Sequence, residues 1–133
     1  MRRFTLAAIL TLCASPAFAQ GFPPSSFKNL QVLPKDSAAP VVVGMMKSFA
    51  LGLGVRCQYC HIGEEGMPLE KFDFVSDDKP AKKTARIMMR LAADINKQLD
   101  SGVPRAAGAS AEGRVTCLTC HRGKSTPDTQ KVP

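Results

Sequence analysis

The sequence predicts a mainly α-helical protein built from two repeats of one unit, a methionine-bearing helix followed by a Cys-x-x-Cys-His motif, with long loops between. Three observations lead there. Cys57-Gln58-Tyr59-Cys60-His61 recurs sixty residues later as Cys117-Leu118-Thr119-Cys120-His121, and these motifs hold the chain's only two histidines. A stretch with apolar residues at helical spacing precedes each motif and carries a methionine pair, Met45-Met46 or Met88-Met89. Text rich in glycine and proline fills the intervals.

Residues 1–19 read as a secretory leader that belongs to neither unit. Arg2 and Arg3 give a basic start, an apolar run too short to span a bilayer follows, and Ala17-Phe18-Ala19 supplies a small-x-small cleavage signal. Retention as a short membrane anchor is the alternative. Lipidation of Cys13 is disfavoured by the bulky Leu12 before it. Cleavage near Ala19 places the mature chain in the periplasm or outside the cell, and it removes Cys13, so all four remaining cysteines lie in the two motifs. It also lowers the formal charge from +7 to +5, because Arg2 and Arg3 leave and none of the eleven acidic residues does. A basic exported protein suits partners with anionic docking surfaces, or peripheral association with lipid headgroups. Nucleic acid is a poor partner for such a chain without a basic patch interleaved with aromatics.

Residues 20–40, with scattered Pro and Ser, read as an extended arm packing on a domain of residues 41–123. Asp36 or Ser37 can cap the first helix, which tolerates Pro40 in its first turn. Val42, Met46, Phe49 and Leu53 share one face of it, and Gly52 and Gly54 end it ahead of the first motif. The interval 62–80 is a long acidic loop with room for one short turn. Phe72 and Phe74 alternate there with polar residues, which permits a brief strand or two rings covering the edge of a group bound at the first motif. The clearest helix covers about 82–99, with Met88, Leu91, Ala92, Ile95 and Leu99 on one stripe. A Gly/Ala/Pro linker, 101–113, leads to the second motif, and 124–133 read as a flexible tail. The two units thus cover 41–80 and 81–123.

Two cysteines separated by two residues on one turn can form thioethers with both vinyl groups of one haem, and the next histidine then faces the iron. Cys57, Cys60 and His61 are read as one covalent haem c site, and Cys117, Cys120 and His121 as another. Structural zinc usually places its two knuckles closer than the 57 positions from Cys60 to Cys117, and would leave both histidines idle. A thioredoxin-like dithiol needs a βαβ context that is lacking. Arg56, Arg114 and Arg122 are candidates for haem propionates, or simply face solvent. Five phenylalanines, one tyrosine and no tryptophan remain after cleavage, too few for a substantial core. Two haems would supply the missing apolar faces, so folding and haem attachment should be coupled.

No third histidine exists to fill a sixth iron position. A methionine thioether is a soft ligand that suits haem iron and favours the reduced state. Met46 shares a face with Val42, Phe49 and Leu53, and Met88 with Leu91, Ile95 and Leu99, whereas Met45 and Met89 sit about 100° around the helix. Methionines on an apolar face are often only core filler.

From Val41 to Gly123 the chain resembles the family of the photosynthetic reaction-centre cytochrome c subunit. The residues that carry the likeness are Met45-Met46 with Leu53-Gly54-Val55-Arg56-Cys57, Arg86-Ile87-Met88 with Asp94-Ile95-Asn96, and Val115-Thr116-Cys117 through His121-Arg122-Gly123. In that family most haems take their sixth ligand from a methionine on the helix before the motif. The resemblance implies Met46 and Met88; aligning the internal repeat alone pairs Met45 with Met88, which keeps Met45 open. It also implies a small multihaem cytochrome c. The chain has two motifs where that subunit has four, and lacks the extra histidine that ligates one of its haems, so service to a reaction centre does not follow. The expectation is a dihaem electron carrier in periplasmic electron transfer, not an enzyme. The alternatives are a dihaem peroxidase with one open iron, or a haem subunit of a larger membrane oxidoreductase.

Overall fold

Two helices carry the fold, and each has a proline in its first turn. In the computed structural model, which describes residues 21–109 and 113–129, α1 runs Ala39–Leu53 and α2 runs Pro80–Gly102. Pro40 and Pro80 sit in the first turn, where a missing N–H costs no hydrogen bond and the fixed φ already matches a helix. Neither helix has a side-chain N-cap. The cap expected of Asp36 or Ser37 falls instead on Ala38, and the Ser37 hydroxyl donates to the Pro34 carbonyl at 2.7 Å, closing the turn before the helix. Pro80 is thus the start of α2 and not the end of the loop before it, and the helix extends to Gly102, beyond the expected 82–99.

Gly54 ends α1 in the left-handed region (φ 64°), its N–H and that of Val55 reaching the Leu51 and Ala50 carbonyls at 3.3 and 3.0 Å. Gly52, expected to share in the termination, lies inside the helix and is buried. There α1 packs against α3, a short helix over Cys117–His121. A Cβ on Gly52 would stand 2.9 Å from both Cys117 Cβ and Leu118 N. Gly123 N–H, just past α3, donates to the Gly52 carbonyl at 2.9 Å. The helix of the first unit therefore docks on the motif of the second.

The loop after the first motif folds back through a single antiparallel bridge, Ile62 with Asp73, and a 3-10 turn at Leu69–Lys71. No strand forms there, because the Asp73 carboxylate accepts the N–H groups of Val75 and Ser76 at 2.8 and 2.9 Å and bends the chain. The N-terminal arm lies against this loop. Asn29 donates to the Val75 carbonyl and to Asp77, Gln31 donates to Asp77, and the Phe22 ring rests 5.5 Å from Phe74.

These contacts enclose little apolar surface. Val42 is the one buried hydrophobic side chain among the described residues, while Met46, Ile87, Met88 and Leu91 stand exposed along α1 and α2. Helices with apolar faces are normally stabilised by burying them. No described helix is long and apolar enough to cross a membrane. The leader read at 1–19 lies outside the described residues, as do residues 110–112 of the linker and 130–133 of the tail.

Candidate haem sites

Each motif is one turn of helix that gathers its cysteines and histidine by main-chain bonding. At the first, Cys57–Tyr59 form a 3-10 turn and the His61 N–H reaches the Cys57 carbonyl at 2.9 Å. At the second, the same run is helical because Thr116 and Thr119 form a reciprocal capping box; the Thr116 N–H donates to Thr119 Oγ1 at 3.0 Å. The turn closes on Arg122 and Gly123, both with positive φ.

All four cysteines are free thiols, Cys57 and Cys120 exposed, Cys60 and Cys117 half-buried. Burial pushes the Cys60 and Cys117 thiols up from their ordinary range. That is opposite to the lowered values of catalytic dithiols. Among the described residues no three His, Cys, Asp or Glu side chains converge as a metal cluster. Each histidine is available singly, which suits a porphyrin iron that brings four nitrogen ligands of its own.

The two imidazoles are held differently. His121 Nδ1 lies 2.9 Å from the Lys124 carbonyl, which makes Nδ1 the protonated nitrogen and leaves the Nε2 lone pair free. The His61 ring packs edge-on against Phe74 at 4.9 Å, and Phe74 in turn stacks on Phe72 at 5.6 Å. His61 Nδ1 is buried without a hydrogen-bond partner, as in a ring placed for a group that the polypeptide does not supply. Its pKa is pushed down to about 4, first by burial and then by the positive charges of Lys82 and Arg86, with Asp73 opposing. The ring is therefore neutral at physiological pH, the form that ligates a metal. An orphaned imidazole nitrogen, free thiols on one turn and uncovered apolar helix faces together fit a covalently held haem.

Of each methionine pair, Met46 (36% exposed) and Met88 (46% exposed) are exposed, while Met45 and Met89, about 100° around the helix, are half-buried. Two further arrangements escape sequence reasoning. Lys82 heads α2, yet only 8% of it is exposed. Its ammonium donates to the carbonyls of Phe74, Val75 and Ser76 at 2.9, 3.2 and 2.6 Å and pairs with Asp77 at 3.1 Å. Arg86, one turn on, pairs with Asp77 at 2.9 Å and reaches the Asn29 carbonyl at 3.4 Å. Spacing carries a faint signal, since Lys82 and Arg86 are four apart. Farther along α2, the Asn96 amide donates to the Val115 carbonyl and accepts its N–H, both at 2.8 Å. That bond pair ties the Met88 helix to the segment just before Cys117.

The family model described as "Photosynthetic reaction centre cytochrome C subunit" matches residues 24–132. Cytochrome c-554 of Chloroflexus aurantiacus is 35% identical over 108 residues, covering 81% of this chain and 23% of that protein. The photosynthetic reaction center cytochrome c subunits of Roseobacter denitrificans and Rubrivivax gelatinosus are 34% and 30% identical, over 76% and 63% of this chain and 25% and 23% of theirs. The chain thus spans about a quarter of the length of these relatives. No solved structure matches it.

Proposed function

The chain belongs to the family of the photosynthetic reaction-centre cytochrome c subunit, and from that premise we propose that it is a dihaem c-type cytochrome relaying single electrons between redox partners. One observation carries this reading: two Cys-x-x-Cys-His turns with free thiols stand on a scaffold that buries, among its described residues, a single hydrophobic side chain. Two haems would complete that scaffold.

Cys57 and Cys60 would hold one haem and Cys117 and Cys120 the other through thioethers, with His61 and His121 each offering an imidazole nitrogen to the iron. Met46 and Met88, the exposed methionines on the apolar stripes, would supply the thioether ligands that leave neither iron open. Haem supplies the one-electron couple; the chain supplies attachment, axial ligation and exclusion of water. With neither iron open, the protein is a carrier and not an enzyme. A basic mature chain exported by residues 1–19 works in the periplasm or outside the cell. Its docking surfaces suit anionic faces of redox proteins, and contact with a membrane surface is compatible with the charge.

The test is expression with a c-type maturation system, followed by haem quantitation and low-temperature near-infrared magnetic circular dichroism. Two covalent haems per chain, each with a His/Met charge-transfer band, are expected. Fewer than two haems, or a bis-histidine or high-spin signal at either, would refute the proposal.

A further inference from the structure

The buried cationic cluster at the head of α2 is larger than the fold needs for closing one loop. Lys82 and Arg86 contribute two positive charges and Asp77 one negative, leaving a net charge of one. The Lys82 and Arg86 side chains are only 9% and 12% exposed, so solvent and salt screen them weakly. The cluster is also aimed at one site. The Phe74 carbonyl that accepts Lys82 Nζ at 2.9 Å belongs to the residue whose ring packs on His61 at 4.9 Å. Asp73, the residue before Phe74, has its carboxylate turned onto the Val75 and Ser76 N–H groups.

The second motif is set among better-screened charges. Arg105 and Arg114 meet Asp100 at the far end of α2, with side chains 32%, 19% and 46% exposed. Lys124, whose carbonyl holds His121, has its ammonium paired with Asp128 in solvent, 59% and 68% exposed.

We propose that the Lys82–Asp77–Arg86 cluster is a tuning element that raises the reduction potential of the first haem more than that of the second, making the two sites inequivalent. This rests on the dihaem reading above. One-electron reduction lowers the charge at the iron by one, and a nearby positive charge stabilises the more negative state. The electron then rests preferentially on the haem of Cys57, Cys60 and His61.

Spectroelectrochemical titration of the haem-loaded full chain, alongside haem quantitation, tests this. Lys82→Met should lower one of the two midpoints clearly more than the other; Asp77→Asn should raise that same midpoint. The opposite signs matter, because loosening of the loop would admit water and move both variants downward. The inference is overturned by shifts in the same direction, by equal movement of both midpoints, or by no movement. If Lys82→Met does not accumulate with haem, Asp77→Asn decides alone, since no loosening would raise a midpoint. Absence of haem from the parent protein would remove the dihaem reading and this inference together, whereas haem bound with unmoved midpoints would remove only the second.

Discussion

Replacing Gly54 by alanine tests whether the junction between α1 and the second motif holds the fold together. Two independent penalties apply. Gly54 sits at φ 64°, where a Cβ costs about 1–2 kcal/mol on conformational grounds. The new Cβ would also fall on the Gly123 carbonyl, a main-chain group that cannot swing away as a flexible side chain would. Relieving that overlap separates the strands of chain joined by the Gly123 to Gly52 hydrogen bond, worth about 0.5–1.5 kcal/mol net, and opens the contact of Gly52 with Cys117. The conformational and hydrogen-bond parts give roughly 1.5–3.5 kcal/mol before the lost Gly52 contact is added, a large effect for a single substitution. Gly66 provides the control: its φ is 81° and a Cβ placed there would meet nothing within 4 Å, so Gly66→Ala should cost only the conformational part, about 1–2 kcal/mol. Denaturant unfolding of both haem-loaded variants, followed by far-ultraviolet circular dichroism, measures the difference. If Gly54→Ala costs no more than Gly66→Ala, the junction does not hold the fold together.

Asn96→Ala removes both bonds to Val115 and leaves that main chain partly unpaired, for an expected loss of about 1–3 kcal/mol read by the same denaturation. It should also weaken the methionine charge-transfer band of one haem while sparing the other. Met88→Leu should open the second iron, so that carbon monoxide binds the reduced variant quickly at one haem and not at all in the parent. The acid limb of stability depends on Asp77, whose carboxyl the Arg86 guanidinium, with Lys82, holds well below the usual carboxylate range. Its folded pKa lies below its unfolded value of about 3.9, so the stabilisation is complete above that pH and is lost as pH falls below it. Asp77→Asn should therefore show a flatter loss of stability below about pH 4 in acid titrations followed by circular dichroism.

Much of this arrangement is legible in the sequence because it is local. Helical spacing of Val42, Met46, Phe49 and Leu53, and of Met88, Leu91, Ile95 and Leu99, locates α1 and α2, and the histidines mark the two motifs. Helix ends are harder to read. Ser37 has the right chemistry for a cap but spends its hydroxyl on Pro34, a choice set by the conformation of the arm. The least legible features are pairings of one side chain with distant main chain. Nothing in a lysine on an amphipathic helix shows that three consecutive carbonyls will wrap its ammonium, since such a residue usually faces water. Asn96 and Val115 are likewise joined only through the tertiary fold. The packing of α1 on α3 crosses the repeat, so periodicity within each unit says nothing of it.

That crossing has a consequence for biosynthesis. A chain leaving its synthesis N-terminus first presents the Cys57 motif while α3, the packing partner of the helix before it, is still to come. During that interval the first pair of thiols has no finished tertiary surroundings and is open from outside. Under the dihaem reading, the contact at Gly52 cannot form before the second motif has been made, so a haem can be joined to Cys57 and Cys60 ahead of the closing of that junction.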